Sequence, residues 1–545
     1  MFAQCFWLSL PIQVMKKIIF LVIILFAAII TMAYLYFHRL NTERISSDSG
    51  LHAAIISSPV VFSFQNDKSV LDILKGQSLF SEIVGQANFT QMISLKEHLL
   101  SIPSINALID QQTIYISLIP AGSKKIDLLY TTQFSQEGDA AQLLSAIKSA
   151  NIKLMDDRGI SKIELTDSSV FYFAIKEKVL LLSENPNPVR EVLTSKFEKN
   201  NKFADFIKSS SKLSKTSLAE LYINFAELPR LLESAIAGKL SGELSPLNDQ
   251  NAFASFVYNF SNDKILLTGT SIVNDAGNYY QLFTNSAAQK VNITNLLPDN
   301  TANYSIFTIA DYADWKLKLN KWFESQKTEK VVQNTIERAR KQYHLDLDQV
   351  FPRYFGNQFI TFQLSTAERV GAINLSNGDK THQLLLELSD EHSDEIRLLK
   401  EDNLLYAYFG EPFKKFKKPF YTIIDNYMVF ANHASTLQSF LNSYRNNRLL
   451  INSQEYIDTI NLLPNTVCIE FFLNFKQSRN IFRKNVYLPY YRHLISEDGL
   501  KEYSSFTYQL YGENGKFQSN LLINKWHEPN SDSVAVDVDS LANRP

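Results

Sequence analysis

The chain has 545 residues, 45% of them hydrophobic and 20% charged, with a formal net charge of −2. This balance gives ample material for a folded core and no basic face for a phosphate backbone, so nucleic acid is not an expected partner. Only two cysteines occur, Cys5 before an apolar N-terminal segment and Cys468 far beyond it, which excludes a disulfide framework or a thiolate metal site.

Residues 18–37, opening at Ile18 and closing at Phe37, are apolar except for Thr31, and Lys16-Lys17 and His38-Arg39 flank them. Twenty residues at 1.5 Å rise span about 30 Å, the thickness of a bilayer core. The expectation is an uncleaved single-pass transmembrane helix in the cell inner (plasma) membrane. Residues 1–17 would then be cytoplasmic and the body periplasmic or extracellular. A cleaved signal peptide is the rival, but its apolar core is normally about 7–15 residues, and Thr31-Met32-Ala33 is a weak cleavage site. Arg39 and Arg44 nearly balance the two lysines, so charge alone decides orientation weakly. Met15-Lys16-Lys17 also reads as a natural start, with residues 1–14 untranslated.

After a polar linker at 38–50, strands are expected at 60–64, 113–118 and 126–134, with helical segments between 69 and 108 and a helix at 139–150. A hairpin follows at 171–175 and 179–183, then helices at 189–197 and 204–210, a strand at 219–224 and a helix at 228–237. A last hairpin, 252–260 with 264–272, turns at Ser261-Asn262-Asp263. Beyond it, strands are expected at 304–309, 358–363 and 383–388, and helices at 314–323, 328–343 and 394–400. The hairpin 420–424 with 428–431, a strand at 467–473 and the hairpin 504–510 with 516–523 complete the order. Residues 528–545 read as a polar, disordered tail.

The second half of this order retraces the first. Phe171-Tyr172-Phe173-Ala174-Ile175 recurs as Phe420-Tyr421-Thr422-Ile423-Ile424, and Leu221-Tyr222-Ile223-Asn224-Phe225 as Phe471-Phe472-Leu473-Asn474-Phe475. Phe253-Ala254-Ser255-Phe256-Val257-Tyr258 recurs as Tyr503-Ser504-Ser505-Phe506-Thr507-Tyr508, and the offsets are 249 or 250 residues. Such a repeat, with many hairpins and no steady strand–helix alternation, implies an α+β class. The expected architecture is two tandem homologous domains of antiparallel sheet covered by helices, at 51–288 and 289–527, after one N-terminal transmembrane helix.

Each candidate site has a plain reading beside the functional one. Asp390-Glu391-His392-Ser393-Asp394-Glu395 mixes carboxylates with an imidazole, as a cation site would. It is matched to Ser135-Gln136-Glu137-Gly138-Asp139 of the first half and read as acidic capping of a helix start. Asn224, Asp311, Asn474 and either Asn66 or Asp67 stand at strand-to-helix corners and read as helix caps. Ser145-Ala146-Ile147-Lys148 and Ser209-Ser210-Ser211-Lys212 match a Ser-x-x-Lys pattern by chance, without a partner motif. The helix at 324–342 is highly charged, a solvent-facing helix by default and a partner-docking one by the sharper reading. No catalytic, cofactor-binding or metal-binding residue is assigned, and no cofactor is expected. The remaining candidate is a basic stretch that only the second half has: Lys414, Lys415, Phe416, Lys417 and Lys418, a contact for an anionic partner or a solvated connection.

The anchor, the Leu-Pro before a strand (Leu297-Pro298, Leu463-Pro464), the Asx-capped helices and the aromatic hairpin together resemble an uncharacterised family of bacterial membrane-anchored proteins with a repeated domain of unknown function. The resemblance covers most of residues 50–525 and implies an envelope location, with no chemistry and no functional residue transferred. The expected function is a non-enzymatic binding or scaffold module, held at the membrane through residues 18–37 and meeting a protein or polymer partner. The alternatives are a carrier of an apolar ligand or lipid, with a cavity between sheet and helices, or a hydrolase with dispersed residues.

Overall fold

Among the described residues, apolar runs rich in Phe, Tyr, Ile and Val fold as strands of one large antiparallel sheet, 20 strands wide, beside a two-stranded pairing of Gln289–Lys290 with Thr466–Val467. The computed structural model describes residues 49–525 apart from 67–80, 83–84, 122–124, 135, 137–138, 151, 158, 199, 212–216, 218, 238–250, 260–263 and 276. The first ten strands are β1 (Val60–Gln65), β2 (Thr113–Ala121), β3 (Lys125–Gln133), β4 (Lys153–Asp157), β5 (Ile160–Glu164), β6 (Val170–Lys176), β7 (Val179–Ser183), β8 (Ala219–Asn224), β9 (Ala252–Asn259) and β10 (Lys264–Val273). The second ten are β11 (Thr301–Thr308), β12 (Phe355–Leu364), β13 (Arg369–Leu375), β14 (Ser389–Glu391), β15 (Arg397–Leu399), β16 (Phe420–Ile424), β17 (Tyr427–Ala431), β18 (Ile469–Asn474), β19 (Tyr503–Glu513) and β20 (Lys516–Lys525).

From one edge to the middle the order is β4-β5-β6-β7-β3-β2-β1-β8-β9-β10. It then continues β20-β19-β18-β11-β12-β13-β17-β16-β15-β14 to the far edge. The second list is the first in reverse with ten added to every strand number. The junction is the β10–β20 pair, in register from Lys264↔Asn524 to Ser271↔Phe517, with Leu267 facing Leu521 at its centre. The sheet therefore crosses from one half to the other without an edge, and from Gly50 on the chain forms one compact unit.

Helices cover both faces. In the second half, α6 (Tyr312–Ser325), α7 (Glu329–Tyr343), α8 (Leu347–Tyr354) and α10 (Leu404–Phe409) pack with Phe307, Phe359 and Phe430. The opposite face carries Tyr304, Ile306, Phe362 and Phe472 beneath α11 (Ala434–Arg445) and α12 (Gln454–Ile460). All eight residues of β11 are buried, as a strand covered on both sides requires. In the first half, α2 (Gln86–Leu95), a π-helical turn at Lys96–Leu100 and α3 (Asp139–Ser149) cover Phe171, Phe173 and Leu182. Across the sheet, α1 (Ser49–Ala54), α4 (Pro186–Thr194) and α5 (Lys202–Ser210) cover Val61, Tyr222 and Leu181.

Of the expected Asx caps among the described residues only Asp311 starts a helix; Asn224 and Asn474 instead close turns that precede helices whose first residues follow Glu227 and Ser478. The Asp311 carboxylate accepts from the Asp314 amide at 3.0 Å, Asn474 from Gln477 at 2.9 Å and Asn224 from Ala226 at 3.1 Å. Asn66 instead donates to Asn106 and to the Ile109 carbonyl, both at 3.0 Å, and Asp67 lies outside the described residues.

Two expectations fail in the second half. The strand expected at 383–388 is instead the end of helix α9 (Gly378–Leu385) and the turn after it; Asn377 starts the helix, its side chain accepting from the Lys380 amide at 2.9 Å. The helix expected at 394–400 is the β14–β15 hairpin. Among the described residues no helix is long and apolar enough to cross a membrane; residues 18–37, the expected anchor, lie outside them, as do the linker to residue 48, the turn at 261–263 and the tail at 528–545.

Candidate functional site

In the first half β5 passes to β6 through residues 165–169, whereas in the second the matching β15–β16 connection runs over residues 400–419. That insertion begins with α10, all six of whose residues are buried, and turns at Gly410, where φ is +75° and a Cβ would stand 2.5 Å from the Tyr279 ring. Phe413 and Phe416 then pack edge-on against Phe430 at 4.8 and 5.0 Å. Lys414, Lys415, Lys417 and Lys418 are exposed, while Phe416 is 1% exposed. Phe416 is therefore a core residue and not a contact residue; its ring anchors the loop that the lysines decorate. Lys414 pairs with Glu411 at 3.2 Å, and the Asn403 amide donates to the Lys417 carbonyl at 2.6 Å.

The acidic cluster is a hairpin tip rather than a helix start. Its equivalent by strand order is the β4–β5 turn, not residues 135–139. Asp390 faces Lys400 at 3.5 Å, Glu391 faces Arg397 at 3.8 Å, Glu395 pairs with Arg445, and the His392 ring lies 5.0 Å from Phe420. Three of the four carboxylates are thus each paired with a different cation, and no metal-holding group of His, Cys, Asp and Glu occurs among the described residues. Ser145 and Ser209 donate to the carbonyls of Ala141 and Phe206 within their own helices, and Lys212 lies outside the described residues. The charged helix is α7. It buries Val332, Thr335, Ile336 and Ala339 and presents its charges outward, with Arg338 bound to Glu401 at 3.2 Å.

The same insertion completes a cleft that the sequence reading passed over. Positions 312, 316 and 320 share a face of α6, 333 and 336 a face of α7, and 348 and 352 a face of α8. With Tyr408 of α10 they line a cavity of about 270 Å³. Lys316 Nζ donates to the Ala407 carbonyl at 2.6 Å and lies 5.0 and 5.5 Å from the ring centres of Tyr408 and Phe323. The Tyr312 hydroxyl donates to the Tyr408 carbonyl, and the Tyr408 hydroxyl to Asp348, both at 3.0 Å. Arg340 bonds the other Asp348 oxygen at 2.9 Å. Burial pushes the Lys316 ammonium down to about 8, against an opposing pull from Asp348. Burial pushes the Tyr312 and Tyr408 hydroxyls up, so both stay protonated donors. The signal available in sequence was the i, i+4 spacing of Tyr312, Lys316 and Asn320, which is indistinguishable from an ordinary helix face without its neighbours.

No protein-family model, curated protein or solved structure matches this chain.

A second opening lies in the first half beneath α2 and the π-turn. It is an apolar cavity of about 80 Å³ whose walls include Phe64, Met92, Leu99, Ile116 and Leu182. The Tyr130 hydroxyl is buried beside it without a hydrogen-bond partner among the described residues, and burial raises its pKa. π-Turns cluster at functional sites because they widen the helix locally.

Proposed function

We propose that this chain is a single-pass, membrane-anchored envelope protein that acts as a non-enzymatic binding module. Its anchor would be residues 18–37, and its body, periplasmic or extracellular, would be two tandem copies of one ancestral domain joined through the β10–β20 pair. The resemblance to membrane-anchored proteins with a repeated domain belongs to this reading. The observation that carries it is the basic loop: Lys414, Lys415, Lys417 and Lys418 project from a base fixed by α10, Phe413 and Phe416. Charges held on a rigid base lose little entropy on meeting an anionic protein or polymer, and the first half has no such insertion. The test is crosslinking of the full chain in its own membrane, with wild type beside a variant carrying serine at the four lysines. Loss of a salt-sensitive crosslinked partner in the variant supports the reading; an unchanged set of partners removes its basis. A topology reporter fused after residue 545 tests the orientation, and activity on the cytoplasmic side would overturn it.

The apolar cavity beside Tyr130 favours a second reading, transport of an apolar ligand or lipid. A dry cavity of about 150 Å³ admits a benzene ring, so this smaller one fits a single alkyl segment. Binding of a fluorescent fatty acid that Leu182→Trp abolishes would support it, and binding unaffected by that substitution would not.

A further inference from the structure

A lysine that caps a helix normally reaches the last carbonyls from water, where its ammonium stays solvated. Lys316 does the capping from inside a cleft. Its nitrogen meets the Ala407 carbonyl and two aromatic rings, and the charged group across the cavity, Asp348, is already shared by Arg340 and Tyr408. Asn320 and Gln333 stand on the lining of the same cavity, where an amide can orient a polar guest. An anionic ligand here would face Asp348, and a cationic one would face Lys316. A neutral ligand avoids both, and the reactive partner of a desolvated primary amine is a carbonyl carbon.

We propose that Lys316 forms an imine with a small neutral carbonyl compound, an aldehyde or ketone, admitted to this cleft. The neutral amine nitrogen attacks the carbonyl carbon, and one N–H proton passes to the carbonyl oxygen to give a carbinolamine. The C–O bond then breaks and the oxygen leaves as water with the second amine hydrogen, leaving a C=N bond on Nζ. A proton taken up from solvent gives an iminium whose N–H again donates to the Ala407 carbonyl. The reduced pKa of Lys316 supplies neutral amine near physiological pH, where exposed lysines are almost wholly protonated. The site belongs to the second half, because α10, which contributes both Ala407 and Tyr408, lies in its insertion.

The test is reductive trapping on the full chain: propanal with cyanoborohydride at pH 7.4, followed by peptide mass mapping. Lys316 should be propylated on the order of tenfold faster than exposed Lys321 and Lys330, with a rate that saturates in propanal while theirs stays linear. Asn320→Trp, which fills the cleft from a half-buried position, should abolish the excess at Lys316 while thermal unfolding by circular dichroism stays cooperative. Labelling of Lys316 no faster than its exposed neighbours would overturn the proposal and leave it a helix cap. So would a fast rate that neither saturates nor responds to Asn320→Trp. Should Asn320→Trp fail to fold, the saturation measurement on wild type decides alone.

Discussion

The Tyr304 hydroxyl donates to the Glu470 carboxylate at 2.7 Å in the core of the second half, where Gln509 Nε2 donates to the other oxygen at 2.7 Å. The first half has the same arrangement from different strands. Glu220, also buried and 250 residues earlier, accepts from the Tyr222 hydroxyl and from Ser211 Oγ at 2.8 Å. Tyr304 faces Phe472 across the strand pair, and Tyr222 faces Val61. The aromatic hydroxyl has thus changed strands between the halves while the carboxylate kept its donor. A buried carboxylate without donors costs several kcal/mol, so either strand can supply the hydroxyl but one of them has to.

Burial raises the pKa of Glu470 above its ordinary 4.5, although Tyr304 and Gln509 pull it down. A raised folded-state pKa means that the native protein holds the proton more tightly than the unfolded chain does. This contribution to stability is complete below about pH 4.5 and is lost as pH rises through the folded value. Glu470→Gln should flatten the pH dependence of the urea midpoint above pH 4.5. Tyr304→Phe should cost about 1–3 kcal/mol near neutrality and steepen that dependence. Midpoints measured from pH 4 to 8 check both, and parallel curves for wild type and Glu470→Gln would count against the assignment.

At the junction of the halves Gly269 of β10 faces Phe256 on one side and Ser519 on the other. A Cβ there would lie 1.8 Å from the Ser255 carbonyl oxygen, so β9 and β10 would have to separate. Ser271, two residues on, accepts from Ser519 Oγ at 2.8 Å and shares a hydrogen bond with the Tyr508 hydroxyl at 2.7 Å, and a shifted β10 would break these contacts. Gly269→Ala should destabilise the protein by about 1–3 kcal/mol in urea. An unchanged midpoint would mean that the strands approach less closely than described.

Lys176 shows the ordinary form of a capping lysine. Its Nζ donates to the carbonyls of Val192 and Leu193 at 2.8 and 3.2 Å at the end of α4, and lies 4.6 Å from the Phe197 ring centre. Lys176→Met keeps much of the stem's packing but removes the donors, with an expected cost of about 1 kcal/mol. The same propanal trapping should label Lys176 no faster than exposed lysines, which separates helix capping from reactivity.

The recurring segments were legible because they lie in strands where Phe, Tyr and Asn return at fixed spacing, and the strand order of the second half retraces that of the first in reverse. The failures have local causes. Gln383-Leu384-Leu385-Leu386-Glu387-Leu388 is too short an apolar run for periodicity to separate strand from helix, and leucine favours the helix that Asn377 starts. The strand beside it, β13, was missed because Gly371 interrupts it. That glycine admits Phe430 from the facing strand, whose ring would stand 2.2 Å from a Cβ. With β13 unseen, the acidic hairpin slid onto the wrong partner in the first half. The Lys316 cleft was unreadable for a different reason: it needs four helices, one of them inside an insertion, to converge on one amine.

The basic loop separates into a buried base and an exposed rim, and the two should respond differently to mutation. Phe416 packs against both Phe413 and Phe430, so Phe416→Ala removes a whole ring from a core that cannot refill it. The expected cost is about 3–5 kcal/mol. Lys417 and Lys418 are exposed, and the Lys417 backbone carbonyl, which accepts from the Asn403 amide, is kept in any side-chain substitution. Replacing both with serine should leave stability within about 0.5 kcal/mol. It should, however, weaken adsorption to vesicles with anionic headgroups at low salt, by roughly the 1 kcal/mol per lysine expected near a charged surface. Urea denaturation and vesicle sedimentation at two salt concentrations measure the two effects on the same proteins. A double serine variant as unstable as Phe416→Ala would make the lysines structural, and equal adsorption by wild type and variant would leave the loop a solvated connection.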